Sequence, residues 1–266
     1  MRTFSADYLR ETRRGMWDDT REALADLSLP TRERVLDVGC GTGELTRVLV
    51  EETPGKVVGV DADRDLLAHA ADRELSVAGA DAHRLPFPDD AFDLVVCQAL
   101  LINLPDPERA VREFARVSSD LVAAVEPDNG AVTVESTVAA EAALARRARA
   151  AYLDGVETDV TLGGAGTATA FRAGGLADVR TRSYARRRVV EPPYSEHALE
   201  SARKKVSGEG LDASRETMLA GSFSRAAYDE LRVAWKAMGR DVVAQMRERS
   251  YRRVETVPFY VTVGRV

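Results

Sequence analysis

The sequence has few cysteines and histidines and no long apolar run. Cys40 and Cys97 are the only cysteines, too few for a disulfide framework or a cysteine-built zinc site, and the 3 histidines are dispersed. No uninterrupted apolar stretch reaches the ~18 residues of a membrane-spanning helix, and residues 1–14 are polar and charged, unlike a secretory leader. We therefore expect reduced thiols, no metal, no membrane span and a cytoplasmic location.

The charge balance bears on the kind of ligand. The formal net charge is −6, with 30% charged and 45% apolar residues among 266. Such a chain has enough apolar residues for a sizeable core but lacks the general excess of cations that grips phosphate backbones. We expect one large domain with additions, or two smaller ones, and a small-molecule rather than a nucleic-acid partner. The oligomeric state is left open, with a homodimer as one option.

Short apolar runs alternate with helical patterns in the first half of the chain. The predicted strands are 34–38, 56–60, 75–80, 92–97 and 121–125, and the predicted helices between them are 44–52, 64–73 and 107–117. Strands that alternate with helices at this spacing predict an α/β fold, in which a parallel sheet carries helices on both faces.

The rest of the chain is less regular. Its predicted elements are an N-terminal helix over 5–27, helices at 135–153, 168–173 and within 196–249, and strands at 179–190 and 257–266. We divide the chain into an N-terminal helical cap segment (1–30), a core (31–190 and 257–266, with an insertion at 127–166) and a helical insertion (191–256) expected to cap the substrate.

A glycine-rich turn follows the first predicted strand, in residues 35–43 (VLDVGCGTG). Glycines at alternate positions allow a sharp turn and a close approach of the backbone to a ligand. A dinucleotide fingerprint would need glycine where Glu44 stands, and a carboxylate at a helix start repels a pyrophosphate. The turn therefore favours a ligand without phosphate and disfavours a Rossmann oxidoreductase.

Two aspartates follow the next two strands. Asp61 is placed to accept hydrogen bonds from both hydroxyls of a ribose, and its alternative role is to cap the following helix. Asp81 is placed to accept from an exocyclic amine such as that of adenine, and its alternative is an ordinary turn residue.

At these residues the sequence resembles the class I S-adenosylmethionine-dependent methyltransferases, in the small-molecule branch that includes the ubiquinone and menaquinone C-methyltransferases. The matching segments are 35–43, 58–61, 79–82, 85–89 and 91–95, with further likeness in 171–176 and 259–265. The resemblance implies a Rossmann-like, seven-stranded, mostly parallel sheet whose last strand is antiparallel. It also implies S-adenosylmethionine as cofactor and S-adenosylhomocysteine as product.

The resemblance assigns cofactor contacts residue by residue. Asp37 and Gly39 would meet the methionine end, Asp61 the ribose, Asp81 with Ala82 the adenine, and Cys97 with Gln98 the region of the sulfonium. The full set of implied cofactor-binding residues is Asp37, Gly39, Cys40, Gly41, Gly43, Asp61, Ala62, Asp81, Ala82, Cys97 and Gln98.

No obvious general base is present, and in-line methyl displacement needs one only when the acceptor arrives protonated. His83, Glu126 and Asp128 are weak candidates, with a place beside the adenine as the alternative for His83 and an ordinary turn for the two acids. Tyr8 and Trp17 are candidates for substrate contact, with core packing as the alternative.

The pattern therefore predicts methyl transfer to a small molecule, and the alternative is a regulatory protein that binds the cofactor or its product without turnover. Residues 97–100 (CQAL) lack the Pro-Pro-Tyr type of tetrapeptide of amino-methylating DNA enzymes, which again disfavours a nucleic-acid substrate.

Overall fold

The computed structural model describes residues 6, 9, 16, 17 and 21–266. These residues fall into two compact units. The first, here called the sheet unit, comprises Met1–Asp128, Thr161–Tyr184 and Phe259–Val266. The second, here called the inserted unit, comprises Asn129–Val160 and Ala185–Pro258.

The sheet unit is built on strands in the order β3-β2-β1-β4-β5-β8. The strands of the whole chain are β1 (Arg34–Val38), β2 (Lys56–Asp61), β3 (Val77–Gly79), β4 (Phe92–Gln98), β5 (Ser118–Pro127), β6 (Thr133–Ser136), β7 (Ala177–Val190) and β8 (Arg253–Arg265). The first five strands pair in parallel, β8 lies antiparallel to β5, and β7 pairs with β8. The predicted fold class, with its antiparallel last strand, is confirmed.

Helices α1 (Glu44–Glu52), α2 (Arg64–Ala71), α3 (Pro107–Val117) and α5 (Gly163–Ala173) belong to the same unit. Neighbouring residues of one strand enter different cores, since Val35 packs with α1 and Leu36 packs with α3 and α5. This follows from the two-residue period of a strand, and it requires both faces of the sheet to be apolar. The sheet is therefore covered by helices on both of its faces.

The inserted unit contains α4 (Glu141–Asp154), α6 (Glu196–Ser207), α7 (Glu209–Asp212), α8 (Arg215–Ala220) and α9 (Arg225–Arg247). The helix predicted over 135–153 is wrong at its start, because residues 133–136 form β6, antiparallel to residues 253–256 of β8. The pairing partner of this segment lies more than 100 residues later in the chain, outside the window that helical periodicity samples. The sheet consequently has one strand more than predicted.

Most of the N-terminal helix predicted over 5–27 lies outside the described residues. Residues Arg21–Leu27 form a 3₁₀ helix that buries Ala23, Leu24 and Leu27. None of the helices in the described part of the chain is both long and apolar enough to span a bilayer.

A buried carboxylate organises the polar interior of the inserted unit. Glu141 is 1% exposed and accepts hydrogen bonds from Lys205 Nζ (2.5 Å), Ser136 Oγ (2.6 Å) and Tyr251 Oη (2.9 Å). Burial alone would raise the pKa of Glu141, but Lys205, Ser136 and Arg253 outweigh it and hold that pKa below its ordinary value. The ionised carboxylate therefore stabilises the folded state.

Replacing Glu141 by glutamine should lower the free energy of unfolding by about 3 kcal/mol at neutral pH, because it leaves Lys205 buried without its counter-charge. A lowered folded-state pKa contributes stability above the unfolded value of about 4.3 and loses it as the pH falls through the folded value. Urea unfolding should therefore show a wild-type advantage that shrinks in acid. Glu200→Gln, which alters surface ion pairs on α6, is the matched control and should cost under about 1 kcal/mol. An equal loss in both variants, or a loss independent of pH, would contradict this interpretation.

Candidate cofactor site at the carboxyl ends of the parallel strands

The glycine turn connects β1 to α1 and is tied to the neighbouring strand. The backbone N–H groups of Gly39 and Cys40 both donate to the carbonyl oxygen of Val60, at 2.7 and 3.0 Å. Gly39 and Gly43 have φ angles of +73° and +81°, in the left-handed region that favours glycine. A Cβ on Gly39 would also lie 2.8 Å from Leu100 Cδ1. The turn is therefore built for a backbone without side chains.

Asp61 at the end of β2 joins this turn to its own strand. Its Oδ2 accepts from the N–H of Gly41 at 2.8 Å, and its Oδ1 accepts from the N–H of Asp63 at 2.9 Å. Asp63, not Asp61, caps α2, since it accepts from the N–H groups of Asp65 and Leu66. The helix-cap alternative for Asp61 is therefore wrong. A carboxylate has about four acceptor positions, so the two protein bonds leave capacity for a ligand.

Two buried polar side chains lie at or beside the turn and suit a polar ligand. Asp37 is 1% exposed and its Oδ2 accepts from Thr46 Oγ1 at 2.7 Å. Thr42 lies between two glycines of the turn, and its fully buried hydroxyl has no hydrogen-bond partner among the residues that the structure describes. Buried polar groups are normally paired, so this hydroxyl suits an absent polar ligand. Sequence reasoning missed Thr42, although its position within the turn marks it.

The start of α1 carries a neutralised charge. Glu44 is the first residue of the helix and its Oε1 lies 2.7 Å from Arg73 Nη1, which also donates to the carbonyl of Thr42 at 3.3 Å. The carboxylate and its cation occupy the region where a dinucleotide fold binds pyrophosphate. Arg73 therefore weakens the repulsion of phosphate that the Glu44 carboxylate alone would exert.

The segment after β3 places Asp81 beside the end of β2. The carbonyl of Asp61 accepts from the N–H of Ala80 at 3.0 Å. Asp81 Oδ1 accepts from the backbone N–H of His83 at 2.9 Å and lies 3.1 Å from the ring Nδ1 of the same residue. The backbone N–H of His83 is the main reason why the pKa of Asp81 is lowered. Ala82 is buried, whereas Ala62 is exposed.

Glu126 at the end of β5 holds the segment that follows β4. The side chain is fully buried, and its Oε1 accepts from the N–H groups of Leu100 (3.0 Å) and Leu101 (2.9 Å). Cys97 Sγ lies 3.8 Å from the same oxygen. Burial, together with the charges of Glu126 and Asp37, raises the pKa of Cys97, so its sulfur is a thiol at neutral pH. Glu126 thus has a structural task that the sequence did not indicate.

Gln98 is buried at the end of β4, and its amide Nε2 lies 2.9 Å from the thioether sulfur of Met16. The contact places Met16 at the carboxyl end of β4.

The remaining candidates differ in their surroundings. Asp128 is partly exposed, and a Cβ built on Gly163 would lie 3.5 Å from its Oδ2. Trp17 is 3% exposed and meets the Phe259 ring edge-on at a centroid distance of 6.4 Å, which favours its core-packing alternative. Tyr8 lies outside the described residues. Within the described part of the chain, no group of three or more histidine, cysteine or acidic side chains is arranged to hold a metal.

Comparison with known proteins identifies the part of the chain that carries this site. Residues 36–120 match the family described as "Methyltransferase domain". The match covers about a third of the chain and describes this segment alone. The matched residues lie wholly in the sheet unit and include most of β1, the whole of β2 to β4, the glycine turn, Asp61 and Asp81. The predicted resemblance to class I S-adenosylmethionine-dependent methyltransferases is confirmed.

Two relatives share this likeness over about a third of the chain. A demethylmenaquinone methyltransferase of Thermus thermophilus is 40% identical over 105 residues, 36% of this chain and 48% of its own length. Methyltransferase GfsG of Streptomyces halstedii is 35% identical over 106 residues, 37% of this chain and 38% of its own length. The chain thus matches less than half the length of these relatives.

The fold likeness extends further than the sequence likeness. A solved Bacillus halodurans structure has a TM-score of 0.53 and 16% identity, covering 92% of this chain and 98% of that one. At this identity the likeness concerns the fold alone.

Glu126→Ala should destabilise the protein by about 2 to 6 kcal/mol, because two buried N–H groups lose their shared acceptor at about 1 to 3 kcal/mol each. Glu126→Gln keeps an acceptor oxygen and should cost under about 1.5 kcal/mol. Urea unfolding followed by circular dichroism measures both. A glutamine variant as unstable as the alanine variant would show that the charge, rather than the acceptor, is what the loop requires.

Proposed function

We propose that this chain transfers a methyl group from S-adenosylmethionine to a small-molecule acceptor by in-line displacement. The observation that carries the proposal is the Asp61 carboxylate, bound to the glycine turn through the N–H of Gly41 and retaining acceptor capacity. The methyltransferase-domain match over residues 36–120 supports the same conclusion.

The residues of the site suit the parts of this cofactor. Asp61 would accept from the ribose hydroxyls and Asp81 from the adenine amine, while Asp37, Thr42 and the glycine turn would hold the methionine end. When bound, S-adenosylmethionine supplies an electrophilic methyl group on a sulfonium. Carboxylates around a cationic ligand are favourable, whereas they would repel a pyrophosphate.

The chain's own contribution is binding and orientation. Aligned reactants can lower a barrier by several kcal/mol, up to ~7 to 11 in model systems, without a dedicated base. Cys97 is kept as a thiol by its raised pKa and does not serve as a nucleophile. Glu126 accepts hydrogen bonds from the loop after β4. His83 and Asp128 therefore remain as the proposed candidates for a general base.

The acceptor is proposed only as a small molecule. Quinone methylation is the activity that the name of the Thermus relative states, but the match covers about a third of this chain, and acceptors are selected by residues outside a shared cofactor domain. We propose that the inserted unit, which includes all of residues 191–256, selects the acceptor. The two unbridged, buried cysteines suit a reducing compartment, and the proposal includes a cytoplasmic location.

Asp61→Asn should weaken the binding of S-adenosylhomocysteine by about 10- to 100-fold, since hydrogen bonds to a charged acceptor contribute about 1.5 to 3 kcal/mol. Isothermal titration calorimetry measures the affinity, and a thermal melt verifies folding. Asp65→Asn is the matched control on an exposed residue of α2 and should bind like the wild type. Unchanged affinity in a folded Asp61→Asn protein would refute the proposed site.

Incubation with methyl-labelled S-adenosylmethionine and fractionated small metabolites should give acceptor-dependent label transfer. The Asp61→Asn protein, assayed at a cofactor concentration below its dissociation constant, should transfer at least about tenfold more slowly. Tight cofactor binding without transfer to any fraction would support the alternative of a non-catalytic binding protein.

A further inference from the structure

His83 links the segment after β3 to a rigid helix. Its side chain is 14% exposed, and its ring Nδ1 lies 3.1 Å from Asp81 Oδ1 while its Nε2 lies 3.1 Å from the carbonyl oxygen of Asp106. Asp106 is the N-cap of α3, where its carboxylate accepts from the N–H of Arg109 at 2.9 Å. The next turns of α3 are buried in the core through Val111 and Phe114. The Asp81 carboxylate and the Asp106 carbonyl are both acceptors, so Nδ1 donates to Asp81, and the Nε2 contact is a hydrogen bond as well only when both ring nitrogens carry a proton. In that form His83 ties the Asp81 segment to the start of α3.

Without His83 the Asp81 carboxylate would have little to hold it. The Asp81 side chain is 67% exposed, and both hydrogen bonds that the described residues give it come from His83 and end on Oδ1. The second oxygen, Oδ2, receives no hydrogen bond from those residues. An exposed aspartate rotates freely at little cost, so these two bonds set its orientation.

The charges around Asp81 favour its acceptor form. The His83 N–H, and more weakly Arg109, lower the pKa of this carboxyl against the opposing effect of burial. An ionised carboxylate only accepts hydrogen bonds, so it attracts the 6-amino group of adenine and repels the 6-oxo group of hypoxanthine. A site that relies on such a bond discriminates strongly against the analogue that lacks the donor.

We infer that His83 is a positioning residue that orients the Asp81 carboxylate, so that the preference of the site for a 6-amino over a 6-oxo purine depends on the His83 ring. The inference rests on the proposed function, because it requires an adenosyl ligand at Asp81. His83 is assigned no proton transfer. It acts through Asp81.

The test compares two uncharged ligands that differ only at the base, 5′-methylthioadenosine and 5′-methylthioinosine. Both lack the amino acid part of the cofactor, so changes at the methionine end do not affect them. Calorimetry on the full chain would measure both dissociation constants for the wild type, His83→Ala and His83→Asn. His69→Ala is the matched control, since His69 is exposed on α2 of the same unit.

The wild type should prefer the adenosine compound by about tenfold or more. In His83→Ala the backbone N–H of residue 83 still donates to Asp81, so the preference should fall by about 2- to 10-fold, the equivalent of one hydrogen bond. His83→Asn carries a side-chain N–H at nearly the same place as Nδ1 and should restore most of the preference. His69→Ala should match the wild type.

Four outcomes would overturn the inference. Equal weakening of both ligands in His83→Ala would indicate a merely structural histidine. A wild-type preference retained in His83→Ala would show that Asp81 is oriented without the ring. Equal binding of both ligands by the wild type, with S-adenosylhomocysteine still bound, would remove the role of Asp81 and leave the proposed function intact. Failure of the wild type to bind any adenosyl ligand would refute the proposed function, and with it this inference.

If His83→Ala does not fold, the ratio in His83→Asn decides, since it should stay near the wild-type value.

Discussion

The hydrogen bond from the N–H of Gly41 to Asp61 is the contact on which the candidate site depends. It joins the turn after β1 to the end of β2, so that two adjacent parallel strands terminate in one rigid polar surface. A buried carboxylate placed among backbone donors retains acceptor capacity, and it does so at a fixed position. The hydrogen bonds from the N–H groups of Gly39 and Cys40 to the carbonyl of Val60 stabilise the same junction.

The sheet explains why these groups meet at all. Parallel strands that are buried on both faces leave only their ends available for polar function, and all five parallel strands end at the same edge. Asp61, Asp81, Gln98 and Glu126 each stand at or just after the end of a different strand. A ligand at that edge can contact side chains that are far apart in the sequence.

Several polar residues near the edge hold other residues rather than a ligand. Glu126 accepts from two N–H groups of the loop after β4, Thr46 donates to Asp37, and His83 lies between Asp81 and Asp106. These supporting contacts keep the proposed ligand-binding groups in place, because a positioned group loses little entropy when a ligand binds. The charged interior of the inserted unit, centred on Glu141, uses the same principle for stability rather than for binding.

The sequence by itself determined the parallel sheet, the glycine turn and the aspartates after the second and third strands. Each of these is encoded by a local pattern, namely strand-helix alternation, alternating glycines and an acidic residue directly after an apolar run. Only the tertiary structure decided that Asp63 rather than Asp61 caps the helix, that residues 133–136 form a strand, and that Glu126 holds a loop. These outcomes depend on partners that are distant in the sequence. Asp61 binds Gly41, 20 residues away, Glu126 binds Leu101 and Leu100, 25 and 26 residues away, and β6 pairs with a part of β8 more than 100 residues away. Short-range periodicity carries no information about such partners.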